Sequence, residues 1–217
     1  MGELTIWGRR DSFNVQKVLW LLDERALRYD WRPAGGGYGG LDDPEFLRMN
    51  PHGRIPVLRD GAHAIWESHA IVRYLAAAYG DDALWPPDPL ARSQADRWID
   101  WMLATLQPDF LTGVFWGYYR TPEPRRRWDA IRRDVARCAR HFGVLDRQLA
   151  DRPFLGGERL GLADVCIGVS LYRYYGLDIE RPSLPNVERW YARLQARPAY
   201  RRNVMLPFGH LKGRLDF

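Results

Sequence analysis

The sequence is poor in cysteine and has no long hydrophobic run. Its 217 residues include two cysteines, Cys138 and Cys166, each inside a helix-like apolar pattern. Such residues behave as small buried hydrophobes, which argues against a disulfide framework and indicates a reducing compartment. No apolar stretch approaches the roughly 20 residues of a membrane-spanning helix, and no charged and then apolar leader is present. We therefore expect a cytoplasmic protein without a membrane partner.

The chain also lacks the motifs of nucleotide, metal and nucleic-acid sites. Glycine-rich residues 33–40 are followed by neither Gly-Lys-Ser/Thr nor a suitable helix, so we interpret them as a flexible cleft wall in preference to a phosphate cradle. The net charge is +5, but the arginines of residues 125–134 are interleaved with aspartates. That mixture is typical of a solvated helix face. We expect no metal and no nucleic-acid partner.

The first 80 residues alternate between strand and helix patterns. Residues 4–7 and 27–31 read as two strands separated by an amphipathic helix, a connection that makes the strands parallel. Residues 55–58 and 62–66 predict a hairpin around an Asp-Gly turn, and residues 68–79 predict the helix that follows. The order βαβ and then ββα predicts an α/β thioredoxin-like N-terminal domain.

A proline-rich linker divides the chain. Residues 85–89 contain three prolines and should be stiff. We therefore place one domain at residues 1–80, a linker at 81–89 and a second domain at 90–217. Beyond the linker the apolar residues recur at helical spacing throughout. The second domain is predicted to be an all-α helical bundle.

Two stretches near the middle of the first domain predict a ligand site. Residues 50–58 read Asn-Pro-His-Gly-Arg-Ile-Pro-Val-Leu, in which Pro56 removes a ladder donor and so belongs at a strand start or an edge, with backbone groups free for a ligand. Glu67 and Ser68 open a helix, where unpaired N–H groups and the helix dipole favour an anion. Together they describe a site for an extended, peptide-like anion.

The turn after the first strand is a further candidate. It contains Ser12 and Asn14, either of which can cap the helix that follows. Taken alone, that structural role is the better explanation of both residues.

The pattern Asn-Pro-x-Gly-x-Ile-Pro-x-Leu, followed by Glu-Ser at a helix start, resembles the glutathione-binding half of cytosolic glutathione S-transferases. Ser-Phe-Asn-x-x-Lys resembles the active-site turn of their bacterial Nu-class and Theta-like members. The resemblance covers nearly the whole chain. It implies a cis peptide bond before Pro56, glutathione as co-substrate and a homodimer. It also places Gly161 where the family has a Ser or Thr helix cap, so only the Asp164 half of that capping box remains.

The resemblance implies a role for each residue of the candidate site. Ser12, with Asn14 as second choice or partner, would donate to the glutathione sulfur and so favour the thiolate, which is the nucleophilic form. The backbone of Ile55, beside Pro56, would bind the cysteinyl unit of glutathione. Glu67 and Ser68 would bind its γ-glutamyl group. Arg54 or His52 would bind its glycyl carboxylate.

A second substrate should be apolar and electrophilic, because aromatic residues dominate the candidates for its site. Aromatic residues at helical spacing are more often core than pocket, so we expect about half of them to reach the ligand. Arg120 either orients an anionic substrate or ends a helix. The candidates are Phe13, Phe110, Phe115, Trp116, Tyr118, Tyr119 and Arg120.

The implied function is that of a glutathione transferase. It ionises bound glutathione and attacks a hydrophobic electrophile, or uses glutathione to reduce a peroxide or a disulfide. The turn that holds Ser12 has no cysteine, so glutathione itself must be the reacting thiol. The alternative is a non-catalytic glutathione-binding or structural module of the same fold, since a fold does not determine a function.

Overall fold

The computed structural model describes residues 3–215, which form two compact units. The first unit comprises residues up to 81 together with residues 198–206. The second comprises residues 82–197 and the tail from residue 207.

The first unit is built on a four-stranded sheet. Its strands are β1 (Leu4–Trp7), β2 (Tyr29–Arg32), β3 (Val57–Asp60) and β4 (His63–Trp66), in the order β2-β1-β3-β4. β1 and β2 are parallel, and β3 is antiparallel to both β1 and β4. The parallel pair, the hairpin and the thioredoxin-like order of elements are confirmed.

Helices cover both faces of this sheet. They are α1 (Phe13–Glu24), α2 (Pro44–Met49) and α3 (Ser68–Tyr79), and a single 3₁₀ turn, Gly36–Tyr38, lies in the glycine-rich loop. α1 and α3 pack against each other. Val57 packs with Phe46 of α2 and with Ala34, whereas its neighbour Leu58 points to the opposite face and is fully buried.

The second unit is helical, as predicted. α4 (Pro89–Trp101) continues into π-helical turns at Met102–Leu106 and Pro108–Arg120, and α5 (Trp128–Gln148), α6 (Leu162–Gly176) and α7 (Pro185–Gln195) follow. Short 3₁₀ turns lie at Glu123–Arg125 and Gly209–Leu211. The π-helical turns were not predicted; they appear in the bond from Thr121 N–H to Trp116 C=O, five residues back, at 2.9 Å.

α6 is buried on almost every side, as expected of the central helix of a bundle. The carboxylate of Asp164 at its start is fully buried and accepts N–H bonds from Gly161 at 2.9 Å, Leu155 at 2.7 Å and Gly156 at 3.3 Å. Burial raises the pKa of Asp164 to about 6, against the effect of these hydrogen bonds. The predicted half of the capping box is confirmed, and Asp164 also orders the loop before α6.

The segment after α7 contains α8 (Pro198–Asn203) and packs on α1 of the first unit. Tyr200 meets Trp20 edge-on at 4.8 Å between ring centroids, and Asn203 Nδ2 donates to Asp23 Oδ2 at 2.8 Å. These residues thus belong to the first unit, and their predicted place in the second domain, residues 90–217, is wrong. Helical spacing does not reveal which unit a helix packs on, and here an aromatic contact and a buried amide decide it.

Both cysteines are free and buried, as their apolar surroundings predicted. Desolvation, followed by the nearby carboxylates of Asp109 and Asp134, raises the pKa of Cys138 to about 12. No helix within residues 3–215 has the length and apolar content needed to cross a bilayer.

We predict that Asp164→Ala lowers the free energy of unfolding by roughly 2–4 kcal/mol, because three buried or partly buried N–H groups lose their acceptor. Urea unfolding at fixed protein concentration measures this loss. Asp129→Ala is the matched control: it removes an aspartate from the first turn of α5, where the side chain is 84% exposed. Its effect should stay below about 0.5 kcal/mol. Equal losses in the two variants would contradict the role assigned to Asp164.

Candidate functional site

Three of the segments identified in the sequence meet at one end of the sheet. Trp7, Val57 and Trp66 are aligned across β1, β3 and β4. Because β3 is antiparallel to its neighbours, the segments that follow β1, precede β3 and follow β4 all leave the sheet at this end. A Cβ on Gly8, just after β1, would lie 3.5 Å from Ile55 Cβ, just before β3. The candidate site is therefore built from the three segments that leave the sheet at this end.

The turn after β1 presents Ser12 and Asn14 at the start of α1. Ser12 occupies the N-cap position and its carbonyl accepts from Gln16 N–H at 2.9 Å, but its half-buried side chain makes no capping hydrogen bond. Asn14 lies inside α1, and its Oδ1 accepts from Lys17 Nζ at 3.0 Å. Neither side chain caps the helix, so the structure does not support the capping explanation.

The turn before β3 is held by the buried side chain of Asn50. Its Nδ2 donates to Arg54 C=O at 2.7 Å, and its Oδ1 accepts from His52 N–H at 3.1 Å. The peptide bond between Ile55 and Pro56 is cis, as the resemblance implied. Pro56 lies directly before β3, which is an inner strand; the strand-start position is thus confirmed and the edge alternative is wrong. This role of Asn50 was not predicted, although the residue opens the turn motif.

The two candidate partners for a carboxylate are both exposed at this turn. The His52 ring packs edge-on against Trp66, with 5.1 Å between centroids. The Arg54 guanidinium forms no ion pair and no ring contact with any residue that the structure describes. Arg54 is therefore the cation that remains available to an anionic ligand.

The segment after β4 places Glu67 before the first residue of α3. Glu67 has φ 67° and ψ 117°, a conformation that residues other than glycine rarely adopt. Its exposed side chain makes no capping hydrogen bond, while Ser68 beside it is buried. Such a backbone conformation persists only where the surrounding structure holds it in place. Residues in such conformations are found most often at ligand and active sites.

The lysine of the Ser-Phe-Asn-x-x-Lys pattern is buried, a role that was not predicted from the sequence. Lys17 is fully buried, and its Nζ lies 2.9 Å from His69 Nε2 as well as 3.0 Å from Asn14 Oδ1. Burial, followed by the positive charges of Lys17 and Arg73, lowers the pKa of His69 to about 2, so that ring is neutral at physiological pH. A lysine in the midst of the apolar α1 sequence was the available signal.

The candidates for a second-substrate site are divided between the two units. Phe13 lies in the first unit, where it is buried, and Lys17 Nζ lies 5.1 Å from its ring centroid. The others lie in the second unit, on the π-helical turns that end at Arg120. Phe110 is fully buried against Phe142 and Tyr174, which makes it a core residue of that unit.

Phe115 is also buried, whereas Trp116, Tyr118 and Tyr119 are partly exposed. Their partial exposure leaves these three rings accessible, and the expectation that about half of the candidates reach a ligand stays a prediction.

Arg120 is 2% exposed, and the alternative that it ends a helix fits its surroundings. Its Nε donates to Arg214 C=O at 2.8 Å, and its guanidinium carbon lies 4.0 Å from the Trp116 ring centroid. It thereby fastens the tail of the chain to the end of the π-helical turns.

The tail, residues 207–215, packs on aromatic residues of the second unit. Phe208 contacts Tyr119 at 5.2 Å, Phe115 at 5.7 Å and Tyr172 at 5.7 Å between ring centroids. Gly213 N–H donates to Tyr119 C=O at 2.9 Å. Phe208 is thus a further aromatic residue beside the candidates for the second substrate.

No group of three or more His, Cys, Asp or Glu side chains within residues 3–215 is arranged to hold a metal ion. The glycine-rich loop is closed by a bond from Gly35 N–H to Gly39 C=O at 2.8 Å. Its Tyr38 is 61% exposed.

Comparison with known proteins gives one consistent result. Residues 7–83 match the family model for the N-terminal domain of glutathione S-transferase, and residues 129–193 match the model for its C-terminal domain. The glutathione S-transferase GstB of Escherichia coli K12 is 40% identical over 206 residues, which is 94% of this chain and 99% of the relative. The disulfide-bond oxidoreductase YfcG of the same strain is 28% identical over 193 residues, 86% of this chain and 87% of the relative.

A solved structure is similar over the same length. The theta-class glutathione S-transferase of Xanthomonas axonopodis pv. citri, with glutathione bound, superimposes with a TM-score of 0.88 at 43% identity. The superposition covers 95% of this chain and 99% of that one.

We predict that neither cysteine reacts with Ellman's reagent in the native protein, because both thiols are buried and the thiolate is the reactive form. The native chain should release close to zero equivalents of thionitrobenzoate from the reagent. The chain unfolded in guanidinium should release close to two. Ser12→Cys is the matched control, which should react with one equivalent in the native state. A native wild-type chain that reacts rapidly, or an inert Ser12→Cys variant, would be inconsistent with the placement of these side chains.

Proposed function

Because the chain belongs to the glutathione S-transferase family, we propose that it binds glutathione at the end of the sheet where β1, β3 and β4 are aligned, ionises its thiol and transfers it to a hydrophobic electrophile. Glutathione S-transferases are enzymes, so this member of the family is an enzyme. The alignment of Trp7, Val57 and Trp66 is the observation that carries the proposal, since it brings the three segments together.

The peptide part of glutathione fits the groups available at this end. The backbone N–H and C=O of Ile55 lie outside the ladder of β3 and would pair with the cysteinyl unit, as an added strand does. The exposed carboxylate of Glu67 would meet the γ-glutamyl ammonium, and the N-terminus of α3 at Ser68 its carboxylate. Arg54 would pair with the glycyl carboxylate, with His52 as the lesser candidate.

The sulfur would lie at the start of α1. A thiol with a pKa near 8.5 is only a few per cent ionised at neutral pH, so a fall of about two units increases the reactive fraction greatly. A hydrogen bond to a charged acceptor contributes about 1.5–3 kcal/mol. One from Ser12, whose side chain does not cap α1, and one from Asn14 would together supply the shift.

A second candidate reaction is the reduction of disulfides by glutathione. The resemblance to YfcG, which is named a disulfide-bond oxidoreductase, favours it. Since both cysteines are buried, glutathione would have to attack the disulfide directly. Turnover assays with an aryl halide, an isothiocyanate, a peroxide and hydroxyethyl disulfide distinguish the reactions, and activity with the disulfide alone would favour reduction over transfer.

We predict that the thiol of bound glutathione ionises about two pH units below its free value, and that Ser12→Ala raises its pKa by about one to two units because a hydrogen bond to sulfur is lost. Titration of the ultraviolet thiolate band at saturating glutathione measures both. Arg54→Ala is the control, which should weaken glutathione binding yet leave the thiol pKa at saturation unchanged.

Two other outcomes of this titration would change the proposal. If Asn14→Ala alone shifts the thiol pKa, the order of the two donors is reversed. If glutathione binds but its thiol titrates as in water, the chain is a non-catalytic glutathione-binding module.

The protein is further proposed to be a cytoplasmic homodimer, as is typical of its family. Leu90 at the start of α4 is 72% exposed and Leu103 is 43% exposed, and exposed large apolar side chains are common at interfaces between subunits.

We predict a sedimentation mass of twice the chain mass at micromolar concentration, and a weaker dimer for Leu90→Glu. His63→Glu, on exposed β4, serves as a comparison for added charge. A monomer in the wild type would refute the dimer.

A further inference from the structure

The chain contains 32 lysine and arginine residues, of which only Lys17 and Lys212 are lysines. Lys212 is exposed near the end of the chain, whereas Lys17 is fully buried in α1. A buried lysine is rare unless its charge is paired or hydrogen-bonded, because removing an ammonium from water is costly. The use of lysine at this one internal position therefore calls for a specific role.

The contact with Asn14 determines how that side chain is oriented. An ammonium group can only donate hydrogen bonds, so the atom 3.0 Å from Lys17 Nζ must be the carboxamide oxygen of Asn14. The NH₂ group of Asn14 then points away from Lys17, and no residue that the structure describes accepts a bond from it. A free amide N–H at the start of α1 is a suitable donor to a thiolate.

The contact with His69 ties this arrangement to α3. His69 is neutral and its Nε2, 2.9 Å from Lys17 Nζ, accepts from the ammonium, which leaves the proton on Nδ1. Nδ1 is buried and has no hydrogen-bond partner among residues 3–215. His69 follows Ser68, so a single ammonium joins the turn that carries Asn14 to the helix start that carries Ser68.

We propose that Lys17, supported by His69, is a positioning residue that fixes the Asn14 amide as a donor to the glutathione sulfur. Lys17 does not touch the substrate and acts only through Asn14. The inference rests on the proposed function, because it requires glutathione to be ionised at the start of α1. A purely structural role, in which Lys17 only ties α1 to α3, is the alternative.

Lys17→Met tests the proposal, since methionine has a similar length but neither charge nor donor. The pKa of the bound glutathione thiol should rise by about one unit, which reduces the thiolate fraction at a fixed pH up to tenfold. The affinity for S-methylglutathione, which has no thiol, should change less than about twofold. Lys212→Met, which removes the only other lysine, should change neither quantity. A loss of S-methylglutathione affinity with an unchanged thiol pKa would establish the structural role and overturn the proposal.

A double-mutant cycle tests whether Lys17 acts through Asn14. In the Asn14→Ala background, Lys17→Met should shift the thiol pKa much less than it does in the wild type. Equal shifts in both backgrounds would overturn the proposal. If the wild-type bound thiol itself titrates as in water, the proposed function fails instead, so the two failures are distinguishable.

A measurement on the wild type does not depend on how the variants fold. With ¹³C placed at lysine Cε, the two lysines give two side-chain signals, and Lys212→Met assigns them. Saturating glutathione at a pH where its bound thiol is ionised should shift the Lys17 signal, and S-methylglutathione should leave it near its free position. A Lys17 signal that is unmoved by both ligands, or moved equally by both, would overturn the proposal.

Discussion

The register of β3 between its two neighbours is the constraint on which the site depends. Because Val57 is aligned with Trp7 on one side and Trp66 on the other, three chain segments remote in sequence must leave the sheet together. A shift of this register by one residue would reverse every side chain of β3 and exchange the faces on which the buried Val57 and Leu58 are packed. The same apolar burial that stabilises the sheet therefore also fixes the positions of the candidate ligand groups.

This constraint explains why local conformations at the site are unusual. The turn held by Asn50 delivers a cis peptide bond directly at the start of β3, and Glu67 leaves β4 with a positive φ. A positive φ is not a conformation that a glutamate would favour in isolation. Glu67 is held between β4 and α3, so its backbone can present polar groups to a ligand without rearranging when the ligand binds.

Sequence reasoning predicted those features that follow from local pattern. The strands, the hairpin and α3 follow from apolar periodicity, and Pro56 was confirmed both as a strand start and as cis. The failures concern contacts between residues far apart in the chain. Tyr200 packs on Trp20, and Lys17 meets His69, across 180 and 52 positions of sequence respectively.

The π-helical turns escaped prediction for a different reason. The spacing of the apolar residues Met102 and Leu106 is compatible both with α-helical turns and with wider π-helical turns. The apolar pattern alone therefore does not distinguish the two kinds of turn. The same is true of the aromatic residues that follow. Phe110 is a core residue and Tyr119 is partly exposed, although both are aromatic residues of the same helical segment.

The energetics of the proposed chemistry show why more than one group is needed at the sulfur. A fall of two units in the thiol pKa corresponds to about 2.7 kcal/mol. A single hydrogen bond to a charged acceptor supplies about 1.5–3 kcal/mol only when its donor is already oriented, because ordering a free side chain consumes part of that energy. A buried lysine that holds Asn14 removes this entropic cost before the substrate arrives. Burying an ammonium is itself unfavourable for folding, so the proposed gain in thiol ionisation would be accompanied by a loss of stability; of the two lysines, Lys17 is buried and Lys212 is exposed.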